Sequence, residues 1–284
     1  MSFFSAYFLW RDSLAASAIA AALCGYLGVF VVLRRIAFVS AALSQISGLG
    51  VALAFYVGSF WGIDPHGPST PFYAAPEVYA LVLSCAASIA LGLPARARRV
   101  NPESVVALAY LFAAASVVLV LRSPRIIQEA HEVSELIFGN AVAVRESHLV
   151  HLTIAAAIIG ALHFFLFKDF LFASFDGEAA RGVGYPVAFL DATLYLSLAV
   201  AAAVATRAIG TLPVFAFFVL PAGAALLWSQ RLSIVVATSV AIAVAAAVLG
   251  YYLSFVYRLP TGPTMAALCG LAWLPGLRLA RRRS

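Results

Sequence analysis

Composition, the length of the apolar runs and the lack of strand-like alternation predict an all-α polytopic membrane protein with about eight or nine transmembrane helices. Of 284 residues, 64% are hydrophobic and 11% charged, with a mean hydropathy of +1.00. A soluble domain carries about 25% charged residues. A helix needs about 17–25 apolar residues to cross the hydrocarbon core, and the runs here are of that length. They do not alternate as barrel strands must, so helices are the spanning element.

The predicted spans run in order along a single membrane domain, residues 1–284. The first, 13–33, ends at the pair Arg34-Arg35, and the second, 40–60, is rich in small residues. The third, 77–94, opens at Glu77, and the fourth, 102–121, opens at Pro102, a residue suited to a helix's first turn. The fifth, 148–167, starts at His148. The sixth and seventh, 190–206 and 211–228, are parted only by the short break around Gly210. Pro213 and Pro221 fall in the seventh and predict a kink there. The eighth and ninth, 234–255 and 264–279, close the series.

The 17 arginines and one lysine give the orientation. Arg34, Arg35, Arg96, Arg98, Arg99, Lys168, Arg181, Arg231 and the cluster from Arg278 to Arg283 fall on one side of a nine-span arrangement. The positive-inside rule places that side, with the C-terminus, in the cytoplasm. The net charge of +6 is therefore a topology signal and gives no support to nucleic-acid binding. The N-terminus lacks the basic n-region of a cleaved signal peptide. Cys24, Cys85 and Cys269 lie far apart in apolar runs and read as core fillers.

One polar segment interrupts the second half. From Lys168 to Pro186 it carries charge, a capping residue and two glycines, which suits a short helix outside the bilayer near residues 176–186. Asp176 can cap that helix, Glu178 suits its positive dipole end, and Ala179 and Ala180 give it a small face. Gly182 and Gly184 let the chain leave the helix. Such a foot needs something to dock against, and a solvated loop between spans is the alternative reading of the same segment. No Gly-Lys followed by Ser or Thr exists to cradle ATP, because Lys168 stands between Phe167 and Asp169. All twelve acids map to loops or span ends, which weakens ion coupling through intramembrane carboxylates. A separate ATP-burning partner is the leading expectation, and a motorless secondary transporter or channel is the alternative. For an enzyme there is no H-E-x-x-H, G-x-S-x-G or paired acid within a span.

Several short motifs stand in order along the chain: the stretch from Val31 through Arg34-Arg35 to Ser40, then Gly48-Leu49-Gly50, then Leu136-Ile137-Phe138-Gly139-Asn140. The run from Thr211 to Ala225 and the turn Leu259-Pro260-Thr261-Gly262-Pro263 complete the set. Together they resemble the metal-type ABC transporter permeases that import zinc, manganese or iron. The resemblance implies an importer permease of the vitamin B12 and metal-uptake type, working as a homodimer in a bacterial-type inner (cell) membrane. It also implies a cytoplasmic ATPase subunit, an extracytoplasmic metal-binding protein, and the foot as the coupling helix. A divalent metal ion would be the transported substrate, with no cofactor held stably.

The resemblance breaks at one point. Where the family has an aspartate and a histidine four residues apart on the second span, this chain has Ala41 and Gln45. Alanine offers no ligand, and a neutral amide is a weak one. Ser40, Ser44, Gln45 and Ser47 then either line a passage or serve close helix packing through small residues. In the outer loop, His131 and Glu135 share a helical face at i, i+4, with Glu132 beside them. His148 and His151 follow at the start of the fifth span. A mixed His–carboxylate set of this kind suits Zn²⁺ or Mn²⁺, and solvated loop side chains are the plainer reading of the same residues. His163, deeper in the span, reads as a packed, hydrogen-bonded histidine.

Overall fold

The computed structural model describes residues 7–62, 71–92, 101–126 and 144–276. In order the helices are α1 (Tyr7–Leu33), α2 (Ala37–Trp61), α3 (Pro76–Gly92), α4 (Pro102–Leu121), α5 (Glu146–Phe165) and α6 (Phe167–Phe175). There follow α7 (Gly177–Gly182), α8 (Val187–Ile209), α9 (Thr211–Trp228), α10 (Leu232–Tyr257) and α11 (Thr261–Leu271). Two 3-10 turns, Phe72–Ala74 and Pro124–Ile126, complete the regular structure, and no strand occurs among the described residues.

Seven of these helices are long and apolar enough to cross a membrane: α1, α2, α4, α5, α8, α9 and α10. Helix α3 is an apolar helix of 17 residues. The all-α polytopic expectation therefore holds, and eight predicted spans coincide with helices to within about three residues at each end, except that α1 begins at Tyr7, ahead of the predicted start at 13. The ninth differs. Helix α11 has only 11 residues, about 17 Å of rise, before a break at Ala272. Residues 273–276 are helical again, and the remainder of the predicted span lies outside the described residues.

Helix α2 is the centre of the fold. Its apolar window is 83% buried, against 17% for the peripheral α4. It packs on α3, α4, α8 and α9, while α1 packs along α9 and α10. Small residues make these approaches close. A Cβ on Gly28 of α1 would stand 2.3 Å from the Phe218 carbonyl oxygen of α9, and one on Gly50 of α2 would stand 2.7 Å from the Ala80 backbone of α3. In hydrocarbon, packing of this kind substitutes for the hydrophobic drive that lipid cannot supply. Ser239 of α10 adds a buried hydrogen bond from its hydroxyl to the Gly25 carbonyl of α1, at 2.7 Å.

Local sequence explains the helix ends. Asn101 caps α4 by accepting from the Glu103 amide at 3.3 Å, with Pro102 in the first turn. In α9 the two prolines are not equivalent. Pro213 sits in the first turn, where its missing N–H breaks no helical bond, and only Pro221 lies inside the helix. The expected disturbance of this span therefore rests on Pro221 alone.

Candidate functional site

Three polar features organise the two ends of the bundle. The first is the foot between α5 and α8. The polar segment forms two helices rather than one, because Phe167–Phe175 continues as α6 before the short α7. Asp176 caps α7 as its sequence position implied, its Oδ1 accepting from the amides of Glu178 at 3.1 Å and Ala179 at 2.9 Å. Gly184 takes a positive φ of 93°, and the amide of Tyr185 closes the turn on the Ala180 carbonyl at 3.0 Å. Glu178, Ala179 and every residue from Arg181 to Pro186 are exposed. Ala180 differs from the expectation of a shared small face. It is fully buried against the core, because a six-residue helix resting on the bundle must turn one side inward. Only Ala179 of the pair faces out.

The second feature sits at the opposite end. Glu77 of α3, His148 of α5 and Arg207 of α8 meet there. Arg207 Nη2 donates to Glu77 Oε1 at 3.3 Å, and His148 Nε2 lies 3.0 Å from the same oxygen. Arg207 Nη2 and His148 Nε2 are 3.5 Å apart. The Arg207 side chain is 7% exposed, that of His148 10% and that of Glu77 33%. The three close one end of a cavity of about 750 Å³ between α3, α5 and α8. His151 also lines this cavity, and the rest of the wall is mostly apolar. The structure thus brings His148 and His151 to one cavity but sets a fixed guanidinium beside His148, where a cation would be repelled. Neither Glu77 nor Arg207 stood out in the sequence as a partner of His148. Their chain separations of 71 and 59 residues leave no local signal.

The third feature is the serine stripe of α2. Ser40, Ser44 and Ser47 are buried, and Gln45 is half-buried. The Ser40 hydroxyl donates to the Ala37 carbonyl at 2.7 Å and that of Ser44 to the Ser40 carbonyl at 2.9 Å. Both are engaged with their own helix, and Ala41 is almost fully buried. His163 is packed and hydrogen-bonded, as its position suggested. Its ring stacks on Phe170 at 4.4 Å and its Nε2 lies 3.1 Å from Ser197 Oγ. His131, Glu132 and Glu135 lie outside the described residues. Among the described residues no three His, Cys, Asp or Glu side chains converge to hold a metal ion.

The comparisons with known proteins agree with this architecture. The profile described as the ABC 3 transport family matches residues 6–279. The chain belongs to the ABC 3 transport family. It is therefore a multi-pass membrane transport component rather than an enzyme, and the resemblance to metal-type ABC transporter permeases holds along the chain. Similar proteins include the manganese transport system membrane protein MntC of Listeria monocytogenes, 25% identical over 91% of this chain and 86% of that one. The chelated iron transport system membrane protein YfeC of Yersinia pestis is 25% identical over 93% of this chain and 84% of its own length. Among solved structures, PsaBC from Streptococcus pneumoniae in complex with Fab superposes with a TM-score of 0.82 at 21% identity, covering 98% of this chain and 96% of that one. An inward-facing metal-chelate type ABC transporter gives 0.74 at 13% identity, covering 99% and 88%. These two likenesses establish the fold.

Proposed function

We propose that this chain is the membrane-spanning subunit of an ATP-driven importer of divalent transition metal ions, with manganese the first candidate cargo. In this reading it works as a homodimer in a bacterial-type inner membrane, with a separate cytoplasmic ATPase subunit and an extracytoplasmic metal-binding protein. The foot and the C-terminus face the cytoplasm.

The foot carries the reading. A capped helix and its exit turn rest on the end of the bundle and present an outer face, with Glu178, Ala179, Arg181 and Val183 exposed in one short stretch. Val183 is 72% exposed at the foot, where an apolar tip flanked by Gly182 and Gly184 suits a protein cleft. ATP binding in the docked subunit would move this foot, and the helices joined to it would open the passage to one side and then the other. The chain itself performs no covalent step.

The charged pairs argue against a motorless transporter. Glu77 is matched by Arg207 and Asp191 by Arg34, so these two acids near helix ends are neutralised by arginine instead of being free to carry protons or sodium. Manganese is favoured over zinc for two reasons. Several similar proteins are named for manganese transport, and the half-buried polar side chain of the α2 stripe, Gln45, offers an amide oxygen. Oxygen donors suit Mn²⁺, whereas zinc prefers nitrogen and sulfur.

Reconstitution with the ATPase subunit in proteoliposomes tests the proposal, using Mn²⁺, Fe²⁺ and Zn²⁺ in parallel. The expected result is uptake that requires hydrolysable ATP and is greatest for Mn²⁺. Uptake that ignores ATP and follows an imposed proton or sodium gradient would establish the motorless alternative.

A further inference from the structure

Arg34, the first residue after α1, is held inside the fold with its side chain only 11% exposed. Its Nε donates to Ser174 Oγ at 2.9 Å, and its Nη1 donates to Asp191 Oδ1. These acceptors lie 140 and 157 residues away in the chain. They also stand on either side of the foot. Ser174 is near the end of α6, two residues before the capping Asp176, and Asp191 lies in the second turn of α8, shortly after Pro186. The Ser174 hydroxyl donates its own proton to the Phe170 carbonyl at 2.5 Å, which leaves its oxygen to accept from Arg34.

A second set of contacts runs parallel to the first. Phe30 lies one turn before Arg34 on α1, and Phe170 one turn before Ser174 on α6. Their rings are 5.9 Å apart, and Phe30 also meets the His163 ring of α5 at 5.8 Å. The last turn of α1 is thus fixed to the foot by one aromatic rung and one polar rung. The guanidinium fork is what permits the polar rung, because it can serve two acceptors in fixed directions at once. A lysine ammonium keeps the charge but is a flexible point donor without that geometry.

We infer that Arg34 is a positioning residue that ties α1 to both sides of the foot, making α1 a lever that moves with it. The inference rests on the reading that the foot receives the ATPase. Because α1 packs along α9 and α10, a displacement of its end carries beyond α5 and α8, the helices joined to the foot. Neighbouring Arg35 has no such role. It is exposed and turns the chain with a positive φ of 58°, next to the Ile36 amide bonded to the Val31 carbonyl at 3.0 Å.

The test uses the full chain co-purified with its ATPase subunit in proteoliposomes, with Mn²⁺ as the probe and ions moved per ATP hydrolysed as the readout. Arg34→Lys is expected to lower that ratio by about fivefold or more, the low end of coupling between linked sites. Ser174→Ala should lower it less, and Arg35→Lys should match the wild type. Subunit co-purification and melting temperature should stay near wild type. A general structural defect would instead reduce hydrolysis and uptake together and leave the ratio unchanged. If Arg34→Lys fails to assemble, Ser174→Ala, which deletes one acceptor on the far side, decides the matter. An unchanged ratio in the assembling variants overturns the inference while leaving an ATP-driven wild type in place. A wild type without ATP-dependent uptake removes the coupled reading and the inference together.

Discussion

The Glu77 carboxylate of α3 accepts a hydrogen bond from the Arg207 guanidinium of α8 at 3.3 Å, across 130 residues of chain, at the end of the bundle opposite the foot. Both charges sit beside an apolar cavity, so each depends on the other more than a surface pair would. Glu77→Gln keeps the size but removes the countercharge, and is expected to cost about 1–3 kcal/mol, in the range for a partly buried group left without its ionic partner. His148→Ala should cost less, because the Arg207–Glu77 bond survives. Melting temperatures of the detergent-solubilised protein check the order. The same measurement examines the metal reading of His148. If His148 works mainly as a partner of Glu77, added Mn²⁺ will shift the wild type and His148→Ala equally.

Gly28 predicts a second effect on stability. An added Cβ would meet the Phe218 carbonyl oxygen at 2.3 Å, and backbone cannot swing aside as a side chain can. Gly28→Ala should therefore push α1 from α9 and cost about 1–3 kcal/mol, as overpacking of a well-filled interior does. Gly160→Ala is the control. It meets nothing within 4 Å on an exposed face of α5, so better helix propensity should leave stability unchanged or raised by up to about 1 kcal/mol. Equal melting points for the two variants would mean that α1 and α9 are not in this close contact.

The helices were legible because spanning lipid imposes run length and apolarity on each one separately. Pro102–Leu121 and Thr211–Trp228 match their predicted bounds at both ends. The Asp176 cap was legible for the same reason, since a cap and its amides lie within three residues. The pairs Arg34–Asp191 and Glu77–Arg207 were not, because no local pattern links residues more than 100 positions apart. The inward turn of Ala180 was also hidden, since a six-residue helix has too few residues to show which side is apolar. The serine stripe left two readings open because helical spacing alone does not say whether a face meets water or another helix.

The capping bond at Asp176 separates local from global effects. Asp176→Ala should loosen α7 by about 0.5–2 kcal/mol, the usual cost of losing an N-cap. Asp176 itself is exposed and α7 reaches the core through Ala180 alone, so the melting temperature of the whole chain should move little while uptake per ATP falls. Asp176→Asn retains a capping oxygen and should restore most of the ratio. If alanine and asparagine behave alike, the cap has no part in coupling. Ala179, exposed on the same short helix, gives an independent check: Ala179→Trp should weaken ATPase co-purification, whereas a foot that docks nothing would tolerate the bulk.

Cargo recognition by α2 can be probed at one position but not at its neighbour. Ala41 is 3% exposed, so Ala41→Asp would bury a carboxylate and is expected to destabilise the fold by several kcal/mol, as an unpaired buried charge does. Gln45 is half-buried, and the Ser40 and Ser44 hydroxyls around it are already bonded to helix carbonyls. Gln45→Asp should therefore fold, and by supplying an anionic oxygen it should lower the Mn²⁺ concentration needed for half-maximal uptake. Gln45→Leu should raise that concentration, by about tenfold if one ligand contributes roughly 1.4 kcal/mol. The outer-loop pair gives a separate arm. His131→Ala with Glu135→Ala should also raise the concentration needed, without altering the maximal rate, if those residues only gather ions at the mouth. Uptake curves over a Mn²⁺ series distinguish the cases, and curves for both Gln45 variants that overlie the wild type would place the ion's path elsewhere than the Gln45 face of α2.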